Sequence, residues 1–442
     1  MIKKNIKVII ISILPFLLCC ISSSQAKTFK IATYNLENLF DLTRDGAEYP
    51  KYIPNTGHGW TREIANIKYT NIARVLKDLG GDIVALQEVE SKNSLLALRN
   101  RLKDIGVDYP FFEIADSGTT PIKCAVLSKF PIIEKKEIHV VSKIDNETAR
   151  KILKIILDID GNYITLFINH WKSKQGPESM RLVYARALKR EINKLKENAD
   201  FILIGDFNEN YNEYQTFRNS GRLNNTGDIT GINHILKTIK NSEMVNEKIL
   251  IEQTENEYLY NLWFEVNKRS RWSYKFFKKK SSPDNIILSK GLYDNKGISY
   301  CDNSFNKFQP DYLFNKKTIY RWQITKKGRG KHLGKGYSDH LPIFAYFSTE
   351  PFYFKNRDSV SKDISPLKFQ KSKSPEILFG LNNATKEELM SVNGIGPVLS
   401  ARIISGRPYQ IADDLLQIKG IGPKKLENLL HYFLQGKGPG KK

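Results

Sequence analysis

The chain has 442 residues, 40% of them hydrophobic, with 69 Lys and Arg against 47 Asp and Glu. That composition excludes a disordered chain and suits one large domain or two or three smaller ones. The formal net charge of +22 favours polyanionic partners, nucleic acid or an anionic membrane, without choosing between them.

In chain order, the first element is a leader. Lys3, Lys4 and Lys7 precede an apolar run from Val8 to Ile21 that only Ser12 and Pro15 interrupt, and small residues end at Ala26. Residues 1–26 therefore read as an export signal, since the run is shorter than the ~20 residues a spanning helix needs. The pair Cys19 and Cys20, in LLCC, resembles the lipid-attachment site of bacterial lipoproteins. Cleavage after Ala26 is the favoured reading, with lipidation at Cys20 as the alternative. Either way the expectation is a probable monomer exported from a bacterial cell, periplasmic, secreted or held at the surface, with membrane contact only through a lipid anchor. Beyond the leader only Cys124 and Cys301 remain. An oxidising compartment could join them, but two unlinked thiols is the favoured reading.

Strand-like runs follow in FKIATYNL, DIVALQEV, IKCAVLS, KILKIILDI, YITLFINH, FILIGDF, DNIILS and LPIFAYF. Between them, residues 61–79 place Ile64, Ile67, Ile72, Val75, Leu76 and Leu79 at helical spacing, with Thr61 as N-cap and Gly80 and Gly81 as stop. A second helix opens after Pro177 and is expected to run to about Asn198. Strands mixed with helices imply an α/β or α+β layered domain.

Six of these stretches end in rigidly placed polar groups: Asn35 in TYNLENLF, Glu88 in LQEVE, His170 in NHWKSK, Asp206 and Asn208 in GDFNEN, Asp284 in PDNIILS, and Asp339 with His340 in SDHLPI. One such residue usually caps a turn. As an ordered set they supply oxygen ligands without thiolates, which suits Mg²⁺ or Mn²⁺, with Ca²⁺ also possible, and two imidazoles that could move protons near neutral pH. Hydrolysis of a phosphate ester needs such a set. His58, His234 and His332 lie in unpatterned polar segments and are expected in solvent.

These motifs, in this order, resemble the endonuclease/exonuclease/phosphatase superfamily, the deoxyribonuclease-I-like fold, over residues 28–348. The resemblance implies an α+β fold, a four-layer α/β/β/α sandwich with the site at one edge. It implies Asn35, Glu88 and Asp339 as metal ligands, and Asp206 and Asn208 on the scissile phosphate and its water or leaving group. His340 would be the general base, oriented by Asp284, and His170 would assist the phosphate or the departing oxygen. Arg150, in ARKILKI, matches a phosphate-contacting arginine, and Lys172 is assigned to the same phosphate. Glu113, in YPFFEIAD, is placed as the residue that orients His170. The chain departs from the family pattern at Pro283, where an arginine or an apolar residue often precedes the Asp.

From 349 to 379 the pattern gives way to a linker rich in Lys, Ser, Pro and Asp. VNGIGPVLSARI and IKGIGPKKLENL then repeat one unit, so residues 380–436 form a small all-α domain, followed by a basic tail at 437–442. The repeat resembles tandem helix-hairpin-helix modules of bacterial DNA-uptake proteins. That resemblance implies phosphate contacts at Gly394, Gly396, Gly420 and Gly422, with charge added by Lys424 and Lys425, and DNA as the partner, RNA being possible. KRSRWSYKFFKKK, residues 268–280, reads as a strand with an exposed lysine end, and TKKGRGKHLGKGYSDH as a mobile basic loop beside Asp339. The expected function is an exported, divalent-metal-dependent nuclease with little sequence specificity. The alternatives are a phosphodiesterase or phosphatase on lipid or sugar phosphates, and a non-enzymatic surface DNA receptor.

Overall fold

The structure is a computed structural model that describes residues 27–141, 149–254, 257–277, 279–352, 380–409 and 412–434. The leader with Cys19 and Cys20, most of the linker and the basic tail lie outside the described residues. No helix among the described residues is long and apolar enough to cross a membrane.

Alternation along the strands sorts residues into layers. In β1 (Thr28–Leu39), Phe29 and Ile31 face one way and Ala32, Tyr34 and Leu36 the other; in β2 (Ile83–Val89), Ile83 and Ala85 oppose Val84 and Leu86. One set enters the core between two sheets, and the other packs under α1 (Arg62–Leu79) and α2 (Lys92–Asp104). Helix α1 starts where Thr61 Oγ1 accepts from Ile64 N and stops where Gly80 turns left-handed at φ 60°. The first sheet is completed by β3 (Phe111–Ile114) and β4 (Lys123–Ser128) on one side of this pair.

The second sheet begins with β5 (Ile132–Ile138), β6 (Ile152–Ile159) and β7 (Asn162–His170), and after α3 (Ser179–Ile192) continues with β8 (Phe201–Asp206). Ile164, Leu166, Ile168, Ile202 and Ile204 face the inter-sheet core, while Phe167, Phe201 and Leu203 pack beneath α3. Helix α3 ends six residues before the expected Asn198. Past Ile192 the chain leaves the helix in a turn, and Asn198 is itself left-handed at φ 55°. Then come α4 (Glu247–Glu252), β9 (Tyr260–Asn261), the hairpin of β10 (Tyr274–Phe276) and β11 (Lys279–Ser281), β12 (Asp284–Leu288), β13 (Ser299–Tyr300), β14 (Asn306–Lys307) and β15 (Ile343–Ser348).

The sheet orders are β13-β15-β1-β2-β4-β3, with β14 also on β15, and β9-β12-β8-β7-β6-β5. Helices outside and two sheets inside give the expected four layers. The eight strands read from the sequence are all present. Cys124 and Cys301 are unlinked thiols, Cys124 fully buried in β4.

The C-terminal unit has a core of its own, around Leu381, Leu389, Ile403, Leu415, Leu429 and Phe433. Helices α5 (Lys386–Met390), α6 (Pro397–Ser405) and α7 (Pro423–Leu434) surround two hairpins. Gly394 (φ 88°) and Gly420 (φ 102°) make the equivalent turns, and Pro397 and Pro423 open the helices that follow. The two copies exchange equivalent contacts: Arg402 Nη1 donates to Lys419 O at 2.5 Å, and Asn428 Nδ2 donates to Asn393 O at 2.9 Å. The repeat is therefore a pseudo-twofold pair rather than two independent hairpins.

Candidate active site

The strand register lines up the catalytic candidates before any side chain is considered. His170 at the end of β7 is the Cα partner of Asp206 at the end of β8, and Asp206 is the partner of Asp284 at the start of β12. On the facing sheet, Asn35 pairs with Gln87, and the β1–β2 register breaks immediately after it. Glu88 occupies that break in a left-handed conformation, φ 64°. Gly205 makes the row possible: its φ is +126°, and a Cβ there would lie 2.2 Å from Asn169 O. Pro283 sits where β12 begins and lacks the amide that a strand interior would use, while its carbonyl accepts from Phe207 N at 2.8 Å.

Side chains then bridge the two sheets. Asn35 Nδ2 donates to Asp206 Oδ2 at 3.0 Å and to Glu88 Oε1 at 3.2 Å, and Asn35 Oδ1 accepts from Glu37 N. Asp206 Oδ1 accepts from Asn208 N at 2.8 Å, and Asn208 Nδ2 donates to Trp171 O. Burial raises Asp206 to about 6, and burial with the Asp339 charge raises Glu88.

His340 Nδ1 donates to Asp284 Oδ2 at 2.8 Å, and the same oxygen accepts from Ser273 Oγ at 2.5 Å. This fixes the ring with Nε2 toward the cleft, 4.0 Å from Asp206 Oδ2 and 3.9 Å from Asp339 Oδ1. Burial alone would lower its pKa, but the Asp284, Asp206 and Asp339 carboxylates outweigh that and hold it well above the usual imidazole range. His170 goes the other way: burial, then Arg150 and His340, hold it well below that range. At 3.7 Å its Nε2 is too far from Glu88 and Asp206 to hydrogen-bond either, so it stands as a neutral imidazole and not an ion-pair partner.

The sequence-predicted groups Asn35, Glu88, His170, Asp206, Asn208, Asp284, Asp339 and His340 thus share one cleft. Two further assignments are modified. Glu113 pairs with Lys135 at 3.4 Å, while His170 Nδ1 has no hydrogen-bond partner among the described residues, so Glu113 does not orient it. Arg150 reaches the site but gives Nε and Nη2 to the carbonyls of His170 and Trp171, holding the end of β7. Lys172, half-buried, lies two residues past His170.

The expectation of solvent-exposed histidines fails. His332 is 6% exposed among Tyr52, Trp60 and Trp322, accepting from Trp322 Nε1 and donating to Lys51 O, each at 2.8 Å. It ties down the basic segment before Asp339 that was expected to be mobile. His58 and His234 are half-buried, bonded to Gly330 O and Thr230 N. Missed altogether were Glu37, Lys68, Arg321 and Ser273. Arg321 bridges Glu37 and Asp339, 3.1 Å from the latter. Burial followed by Asp339 raises Glu37 to about 7, and burial lowers Lys68 to about 8. Glu37, two residues after Asn35, was within reach of the motif; Arg321 and Ser273 carried no local signal.

A model of the Endonuclease/Exonuclease/phosphatase family matches residues 30–349. The chain belongs to that family. A Helix-hairpin-helix motif matches residues 377–434, the repeat at the C-terminus. Among solved structures, TDP2 from Caenorhabditis elegans is 13% identical, with 73% of this chain and 74% of that one covered and a TM-score of 0.41. ANGEL2, described as a 2',3'-cyclic phosphatase, is 16% identical over 74% and 96% of the chains, with a TM-score of 0.44. A family protein from Bacteroides thetaiotaomicron is 14% identical over 74% and 99%, with a TM-score of 0.42. No curated protein matches the sequence.

As a member of this family the protein is a divalent-metal-dependent phosphoester hydrolase, and its donor set fits that chemistry. Glu88 and Asp339 present carboxylates that are each 18% exposed to the cleft, and burial followed by their mutual repulsion raises Glu88. A hard dication relieves that repulsion. Asp206, Asp284 and His340 also lie close enough for a cation. There, however, Asp284 Oδ2 is already taken by His340 and Ser273.

Proposed function

We propose that the protein is an exported nuclease that hydrolyses phosphodiester bonds of DNA, with RNA as an alternative polymer, and with little sequence specificity. The observation that carries this is the His340–Asp284 pair, placed in one cleft with Asp206, His170 and the Glu88–Asp339 carboxylates, in a chain that also bears a helix-hairpin-helix module. Glu88 and Asp339, with Asn35 Oδ1, would hold the dication, Mg²⁺ or Mn²⁺ by their hardness. Bound there it polarises phosphoryl oxygens and offsets their charge.

The rest is done by the chain. Asn35 spaces Glu88 from Asp206 through its amide hydrogens. Asp284 orients His340 so that Nε2 can exchange a proton with the attacking water. Neutral His170 offers an uncommitted ring for a phosphate oxygen, and Arg150 holds that ring's backbone. The module grips the backbone of the polymer, since hairpin amides at helix starts hold phosphates without reading bases.

Plasmid nicking with and without chelator tests this reading: loss of supercoiled DNA only in the presence of divalent metal is expected. No cleavage of any nucleic acid under Mg²⁺ or Mn²⁺ would end it. A second reading has one specific observation behind it. Phe276 and Phe277, 55% and 82% exposed, tip the β10–β11 hairpin, whose Tyr274 pairs with His340. An aromatic tip beside lysines suits stacked bases and also a lipid surface. Faster hydrolysis of sphingomyelin vesicles than of DNA would favour the lipid reading.

A further inference from the structure

Three carboxylates meet where the outer strands of the two sheets come together. Glu247 opens α4, Glu265 follows the turn after β9, and Asp302 follows β13. One carboxylate oxygen of each lies within 4.8 Å of the others. Strand β9 is the margin of one sheet and β13 the margin of the other. Tyr260 in β9 pairs with Leu288, the opposite end of β12 from Asp284, and Tyr300 in β13 pairs with Phe347, at the far end of β15 from the cleft. The cluster is therefore separate from the catalytic groups.

Two of its oxygens lack a donor among the described residues. The Tyr300 hydroxyl gives its one proton to Glu265 Oε2 at 2.7 Å and accepts from Ser304 N and Phe305 N. Glu265 Oε1 and Asp302 Oδ1 are buried with no hydrogen-bond partner among the described residues. Independently of the acids, Tyr293 is 3% exposed and its hydroxyl is also without a partner. Its strongest charged neighbours are Glu265 and Glu247. Arg271 acts on the same neighbourhood, but its Nε and Nη2 go to the carbonyls of Val266 and Phe264. Burial holds the Glu265 carboxyl well above its ordinary range. Buried acceptors without donors are costly. A shared proton satisfies one pair of oxygens, whereas a cation satisfies the whole set. With oxygen donors only and no thiolate or imidazole, the fitting ion is hard and divalent.

We propose that Glu247, Glu265 and Asp302 form a second cation site, of the calcium class, that pins together the margins of the two sheets. The test uses the full chain carrying Glu88→Gln, which weakens the catalytic carboxylates, with Tb³⁺ as the probe and Ca²⁺ as competitor. Tyr300 and Tyr293 beside the site should sensitise Tb³⁺ emission, and Ca²⁺ should displace it. Ca²⁺ at about a hundredfold over its Kd should raise the melting temperature by about 5 °C. Adding Asp302→Asn should abolish both signals, while Asp302→Asn in the otherwise native chain leaves hydrolysis unchanged. The proposal is overturned if emission and thermal shift survive Asp302→Asn, or if the Glu88→Gln parent shows neither. A melting temperature that Asp302→Asn raises equally with and without Ca²⁺ would mean proton sharing and would overturn it as well. Should Asp302→Asn misfold by circular dichroism, Glu247→Gln decides by the same two signals.

Discussion

His340 and His170 share a cleft yet are driven to opposite charge states, and contacts rather than residue type make the difference. His340 has Asp284 on Nδ1 and Asp206 and Asp339 before Nε2; His170 has Arg150 behind it and no acceptor within bonding range. Removing the His340 ring removes the group that Asp284 orients to exchange a proton with water. His340→Ala is expected to cut plasmid hydrolysis by about 10³-fold or more, with a melting temperature close to the parent's. Asp284→Asn keeps the shape but loses the carboxylate that fixes the ring, and should cost about 10²- to 10⁴-fold. Full activity in folded His340→Ala would rule out His340 as the group that exchanges the proton. These residues were legible because each borders a buried apolar run, where a polar side chain needs a reason. Ser273 and Arg321 were not: Ser273 acts through Asp284, and Arg321 meets Glu37 from 284 positions away, which no local pattern reports.

Elements declared themselves in proportion to how much they bury. The central strands and α1 stand out by continuous or helical apolar spacing, whereas β5, with burial confined mainly to its last residue, reads IIEKKEI and was missed. Its charges belong to a sheet margin that must not pair further. Helix α2 was missed because its start is set by a Ser91–Ser94 capping box rather than by an apolar signal. Between α3 and β8, Asp200 illustrates how an element boundary can be strained by charge. Burial raises Asp200 to about 7 although Oδ2 accepts from Ile298 N at 2.7 Å. A carboxyl whose folded pKa lies above its unfolded value of about 3.9 favours folding below that value, and the advantage is lost as pH rises through about 7. Asn can keep the hydrogen bond without ionising. Asp200→Asn should therefore be more stable than the parent by about 1–2 kcal/mol at pH 8, with the gap closing toward pH 5. Urea melts at the two pH values check this, and a gap independent of pH would refute it.

At the scale of the whole molecule, the catalytic sandwich and the C-terminal unit have separate hydrophobic cores, and the +22 charge is available to both. The sandwich carries the full hydrolytic set, so loss of the C-terminal unit should spare the chemical step and weaken the hold on long polymer. A chain ending after residue 352 is expected to cleave a short oligonucleotide at near-parental kcat, and to need several times more enzyme to nick plasmid at physiological salt. Backbone-only binding releases counterions, so the logarithm of affinity should fall linearly with the logarithm of salt at a slope of about −0.9 per phosphate neutralised. The shortened chain should show the shallower slope, because it neutralises fewer phosphates. Gly420→Val gives the same comparison at full length. The turn there has φ 102°, and a Cβ would lie 2.9 Å from Leu399 Cδ2, so a β-branched residue disrupts the hairpin without touching the sandwich. Chelator should silence every one of these forms. Equal salt slopes for the native chain, Gly420→Val and the shortened chain would mean that the sandwich alone holds the polymer and that the paired hairpins serve some other contact.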